Sequence, residues 1–159
     1  MTVLVDTGVL YADHDTTSSR HEAASNALQT LYDGEFGQPY VIEYVYDEAV
    51  TLTLKRSNSI DAATQIGHRL RGVEQFPEVY ELLYVSPTLF SEAIEIFERD
   101  DDQQLSFTDA ALVAQYRDRD IDTLLASTTT STASSTASTP WTCSPGTQPL
   151  GAPPPDDGQ

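Results

Sequence analysis

Three carboxylates stand in settings where a solvated charge is not the obvious use. Asp6 closes the apolar run "TVLVDT", Glu48 lies within "YVYDEAVTL", and Asp109 lies in "LSFTDAALVA", ahead of small apolar residues. Each also has a plain structural use. Asp6 could cap the helical turn that follows, since Asp is a favoured N-cap. Glu48 could be one more charge on an acidic chain, and Ser106 and Asp109 have the cap-to-N3 spacing of a capping box. The readings part if the three groups meet. Carboxylates crowded without a cation repel, and one takes up a proton at a cost. A divalent ion removes that penalty, and hard Mg²⁺ or Mn²⁺ favours an oxygen-only shell with retained waters. Such an ion activates water and steadies charge on a phosphoryl group during in-line displacement.

The elements that must position these groups follow from the apolar pattern. "TVLVDT" (Thr2–Thr7) reads as a buried parallel strand. "HEAASNALQTLY" (His21–Tyr32) has Ala24, Ala27, Leu28 and Leu31 at helical spacing, and "DGEFGQP" ends it. "YVIEYV" reads as a second strand, running into a helix over "YDEAVTLTLKR" with Val45, Ala49 and Leu52 on one face. "SIDAATQIGHRLRGV" offers Ser59 as cap, then Ala63, Ile66 and Leu70 in phase. "VYELLYVSP" is a strand stopped by Pro87, and "TLFSEAIEIFERDD" a helix with Phe90, Ile94 and Phe97. "SFTDAALVAQYRDRD" opens a last helix and "IDTLLAS" a last strand. Strands alternating with helices predict an α/β chain, a three-layer α/β/α sandwich around a parallel sheet. Reacting groups in such sheets gather beyond the carboxyl ends of the strands, where Asp6 falls.

The bulk properties set the solvent. The formal charge is −17, and residues 1–126 hold 23 acidic against 8 basic side chains, net −15; Lys55 is the only lysine. An acidic, lysine-poor surface is expected of a halophilic protein in concentrated salt, where a Debye length of about 3 Å screens self-repulsion. Counterion release is weak in that solvent, so the charge does not argue against a nucleic-acid substrate. Cys143, the one cysteine, lies beyond Ala126, leaving the domain no disulfide and no thiolate metal site. "MTVLVDTGVLYA" lacks the basic start of a signal peptide, and no apolar run reaches the roughly 18 residues of a membrane span. A cytoplasmic protein is expected.

In order and with their flanking residues, "VDTGVLYA", "YVYDEAVTL" and "LSFTDAALVA" resemble the three acidic motifs of PIN-domain ribonucleases. Within that family the chain is most similar to the toxins of VapBC-type toxin–antitoxin pairs, over Thr2 to about Ala126. The resemblance implies a PIN-like sandwich that often dimerises and Mg²⁺- or Mn²⁺-dependent cleavage of RNA. It makes Asp6, Glu48 and Asp109 the metal ligands and catalytic residues, with Thr7 and Ser106 or Thr108 in support. It also implies an RNA substrate, a cognate antitoxin protein and a homodimer. Asp101 or Asp102, in "ERDDDQQ", could face the site or belong to a solvated loop, and "DRDID" reads as a solvated turn. His14, His21 and His68 show no ligand spacing and read as surface residues. Arg56, Arg69 and Arg71 are candidates to meet phosphate.

The chain changes character after Ala126. Residues 127–159 form a Ser/Thr/Pro-rich tail opening with "STTTSTASSTAST", and no charged residue stands between Asp122 and Asp156. Low complexity of this kind reads as disordered. PIN domains usually present a fourth acidic residue just after the last strand. Suitable G- and C-rich codons for "ASTTTSTASSTASTPWT", shifted by one base, can read A-F-D-D-D-F-D-G-I-V-D-R-L-D-A-V-D. The tail is therefore compatible with a frameshifted fourth acidic segment, and the 1–126 nuclease domain with the loss of its C-terminal part. Two other functions compete. An aspartyl-phosphate enzyme with Asp6 as nucleophile would want a second Asp two residues on, where Gly8 stands. A binding protein or pseudogene product that keeps the fold without its chemistry is the stronger alternative.

Overall fold

The computed structural model describes residues 1–99, 105–127 and 141–145. Its elements run β1 (Thr2–Val5), α1 (Thr7–His14), α2 (His21–Tyr32), β2 (Gln38–Ile42), α3 (Glu43–Ser57) and α4 (Ile60–Arg71). They continue β3 (Glu81–Leu83), α5 (Pro87–Arg99), α6 (Phe107–Asp118), β4 (Thr123–Ser127) and β5 (Trp141–Pro145). The strands line up as β3-β2-β1-β4-β5. The first four are mutually parallel, and β5 pairs antiparallel to β4. This is the expected PIN-like α/β architecture. The expected tail falls mostly on residues outside the described ones; of those described, Ser127 ends β4 and Trp141–Pro145 form β5.

The central strand shows why the sheet is covered on both faces. Val3, Leu4 and Val5 are consecutive and fully buried, so side chains pointing to either face meet apolar neighbours. Leu28, Leu31, Ile66, Leu70 and Leu125 complete much of the same core. From β1 the chain builds outward through β2 and β3, then returns to lay β4 on the other side of β1. The order therefore reverses between β1 and β4. Such a switch point opens a crevice beyond the strand ends, because the connections leave in opposite directions. The Asp6 amide, donating to the Leu125 carbonyl at 3.0 Å, sits at that point.

Several expectations shift by a turn. "EYV" belongs to α3 and not to the second strand, because Ile42 is already the cap of that helix. On α3 the buried residues are Val45, Ala49 and Thr53; Leu52 is only half-buried. On α5 the buried side is Leu89 and Ala93, while Phe90 and Phe97 are 41% and 46% exposed. Those rings pack edge-on around Phe107 of α6. Asp122 is exposed but is more than a solvated turn: it accepts from the Thr2 amide at 2.8 Å and the Thr2 hydroxyl at 3.0 Å, pinning the start of β1 to that of β4. Gly37 enters β2 at φ 75°, and a Cβ there would overlap the Met1 carbonyl. Among the described residues, no helix is long and apolar enough to cross a membrane.

Candidate functional site

Asp6 is where β1 stops and α1 starts. Its backbone is extended (φ −85°, ψ 154°) and its carboxylate accepts from the Gly8 amide at 3.2 Å, so it caps α1. Capping does not exhaust it. The carboxyl group is pushed up from 3.8 to about 6, chiefly by burial, then by the charge of Asp109 and to a smaller degree by that of Glu48. The Gly8 and Thr7 amides oppose the rise without cancelling it. A carboxylate short of compensation is what results.

Glu48 lies in the second turn of α3 and is half-buried. The buried Thr7, first residue of α1, donates its hydroxyl to Glu48 Oε2 at 3.1 Å. That bond ties α1 to α3 one residue past Asp6. Asp109 comes from the other side, on the first turn of α6. The start of that helix is set beside α3 by Phe107, whose ring meets Tyr44 edge-on at 5.7 Å. The capping box forms: Ser106 Oγ accepts from the Asp109 amide, and Asp109 Oδ2 accepts from the Ser106 amide and hydroxyl, both at 2.8 Å.

The structural and chemical readings of Asp6 and Asp109 are thus both drawn in the same geometry. Asp6 feels both other carboxylates, so the three share one end of the sheet. Yet among the described residues no three Asp, Glu, His or Cys side chains are assembled closely enough to hold a metal ion as they stand. Asp109 has turned one oxygen back into its own cap, while Asp109 Oδ1 and Glu48 Oε1 accept hydrogen bonds from none of the described residues. In donor type and uncompensated charge the set fits a hard divalent cation.

The remaining candidates separate cleanly. Arg69 is committed: it pairs with Asp13, donates to the Tyr32 hydroxyl at 2.6 Å and lies over the Tyr32 ring. Arg71 is at the end of α4, with Nε 3.4 Å from the Gly67 carbonyl. Arg56 is exposed and stacks on Tyr11, 5.1 Å from the ring centroid. The histidines are half-buried and not plain surface residues; burial, then the charge of Arg69, holds His14 below its usual range. Asp101 and Asp102 lie outside the described residues. Sequence reasoning passed over Glu43, whose Oε1 accepts from the Val85 amide at 2.7 Å while Oε2 is buried without a partner. A Glu inside the apolar run "YVIEYV" was the available signal. Tyr11 was passed over too, because one aromatic residue in "VLYA" carries no motif.

No protein-family model matches the chain, and no curated protein matches it. Among solved structures it is similar to VapC20 of Mycobacterium tuberculosis, described as a sarcin–ricin loop cleaving toxin. The match has a TM-score of 0.64 at 24% identity and covers 77% of this chain and 86% of that one. The two share the fold.

Proposed function

We propose that the chain is a metal-dependent endoribonuclease, the toxin of a type II toxin–antitoxin pair. The observation that carries this is the Asp6 carboxyl, held short of compensation at the switch point of a VapC20-like fold in the field of Asp109 and Glu48. Asp6, Glu48 and Asp109 would hold Mg²⁺ or Mn²⁺. When bound, such an ion supplies an activated water and neutralises charge on the phosphodiester being displaced. The protein's own part is positioning. Thr7 holds one oxygen of Glu48 and leaves the other free, Ser106 does the same for Asp109, and burial keeps Asp6 poorly solvated. A cognate antitoxin covering the acidic cleft, a homodimer and a cytoplasmic setting complete the reading.

The test uses the purified chain, Mg²⁺ or Mn²⁺, and two RNA probes: a sarcin–ricin stem-loop and an unrelated stem-loop. Metal-dependent cleavage that disappears with chelator and with Asp6→Asn supports the proposal. No cleavage of either RNA together with no Mn²⁺ binding overturns it. That outcome favours the second reading, a PIN-fold binding protein without turnover, for which the engagement of Asp109 in its cap is the specific observation. Including a chain with the shifted reading frame restored after Ala126 tests the frameshift: a higher turnover there marks residues 127–159 as an altered fourth acidic segment. Resequencing the gene at that codon checks the same point directly.

A further inference from the structure

An acidic chain that cuts RNA must still hold a polyanion beside three carboxylates. Somewhere near them it needs an exposed cation that is not locked into an ion pair. The seam between α1 and α3 carries one. It begins at the Thr7–Glu48 hydrogen bond. One turn farther along α1 is Tyr11, and two turns farther along α3, about 12 Å from Glu48 at 1.5 Å per residue, is Arg56. There the seam closes again, with the Arg56 guanidinium over the Tyr11 ring. Residues four apart lie on one helix face, so Thr7 and Tyr11 share a face of α1, and Glu48, Leu52 and Arg56 a face of α3.

The local chemistry holds this pair ready for an anion. The Tyr11 hydroxyl donates to Asp15 Oδ2 at 3.1 Å, which fixes the ring. The other Asp15 oxygen accepts from the Thr17 amide and hydroxyl, and these neutral donors hold the carboxylate low ahead of the smaller pull of the Arg56 charge. Among the described residues, the ion pairs are Arg69–Asp13 and Arg99–Glu95; Arg56 joins neither and is exposed. A guanidinium stacked on a ring keeps its N–H donors in the plane, at the edges, where a phosphate can take two of them. Lys55, next to it, is also exposed.

Resting on the nuclease reading, we propose that Arg56 stacked on Tyr11 forms an RNA phosphate subsite that seats the strand along the α1–α3 seam, leading it to the acidic end of the sheet. Arg56 is a positioning residue in this scheme, remote from the reacting atoms.

The experiment measures binding of a short fluorescein-labelled single-stranded RNA of mixed sequence to the full Asp6→Asn chain over a range of salt. Cleavage by the otherwise native chain is followed in parallel. Arg56→Gln should weaken binding roughly tenfold and reduce the log–log salt slope by about 1. In the active chain it should raise KM with little change in kcat. Arg56→Lys should keep the slope and recover part of the affinity. Tyr11→Phe, which keeps the ring, should bind better than Tyr11→Ala. Arg56→Gln with native affinity and slope, in a chain that binds and cleaves RNA, overturns the subsite alone. A parent chain that neither binds nor cleaves RNA overturns the subsite and the nuclease reading together. A purely structural role for Arg56 would lower the melting temperature and leave the slope unmoved, which also overturns the subsite.

Discussion

Helix α1 has an acidic group at each end, and the two ends are treated differently. At its C-terminal end Asp13 meets Arg69, accepts from Ser25, and belongs to a network in which Arg69 reaches Tyr32 and Tyr32 meets the Tyr80 hydroxyl at 2.9 Å. Burial opposes the charge on Arg69, but Tyr32 and Asp13 outweigh it and hold the guanidinium protonated. At the other end Asp6 has two amides and two like charges for neighbours, and its carboxyl rises to about 6. A fold able to neutralise one buried aspartate could neutralise another. That it leaves Asp6 short is what the proposed metal-binding role of Asp6 would require.

The largest effect separates the ends by activity. Asp6→Asn should lower RNA cleavage about 10³-fold, a loss typical of removing a group that stabilises transition-state charge. The fold should survive, because Asn caps a helix about as well as Asp. Arg69→Met should do the reverse. It leaves Asp13 largely buried without its cation, a cost of about 3 kcal/mol from the lower end of the range for breaking a buried pair, since the Arg69 side chain is 22% exposed. Chemical denaturation should show that loss, while cleavage per folded molecule is retained. If Asp6→Asn cleaves normally, or Arg69→Met abolishes turnover without destabilising, the division between the two ends of α1 is wrong.

How much of that division the sequence carried can be read residue by residue. Periodicity located α2 and α4, and spacing gave the Ser106–Asp109 capping box, because caps and amphipathic faces are local. The order of motifs named Asp6, Glu48 and Asp109 as partners; the charges of Asp109 and Glu48 reach Asp6, but among the described residues the three are not assembled into an ion-holding cluster as they stand. Missing were the facts that depend on what packs above. Phe90 and Phe97 looked like core from their spacing, but the core side of α5 is Leu89 and Ala93. The aromatic rings found a neighbour in Phe107 on a different helix. Arg56, Arg69 and Arg71 were equivalent in the sequence; only the fold shows Arg69 spent on Asp13 and Arg56 laid on Tyr11. Compensation is a long-range property, and composition does not reveal it.

The uncompensated end should also show in the pH dependence of stability. Unfolded, Asp6 titrates near 3.8, and folded near 6. Between those values the native state holds more protons, so this group's contribution is greatest at the acid end and is lost as pH rises through the window. About two units of difference amount to on the order of 3 kcal/mol. Asp6→Asn should flatten that part of the stability–pH curve and melt higher than the parent at pH 7. Mn²⁺ at about a hundred times its Kd should add about 2.7 kcal/mol at pH 8 and clearly less at pH 5, where protons compete for the same oxygens. A metal response that does not change with pH would show the ion binding away from Asp6.

The smallest effect tests the member of the site with two uses. Ser106→Ala removes the side-chain half of the capping box and should cost about 1 kcal/mol in denaturation. If capping is all that Asp109 does, Mn²⁺ affinity stays where it was. If Asp109 is a ligand, the amide and hydroxyl of Ser106 fix its orientation, as the outer hydrogen bonds of metal sites do, and losing the hydroxyl should weaken Mn²⁺ roughly tenfold. Calorimetric titration of the variant decides between these, because the helix pays the same cost either way and only the metal distinguishes a carboxylate shared with the ion from one used up by its own helix.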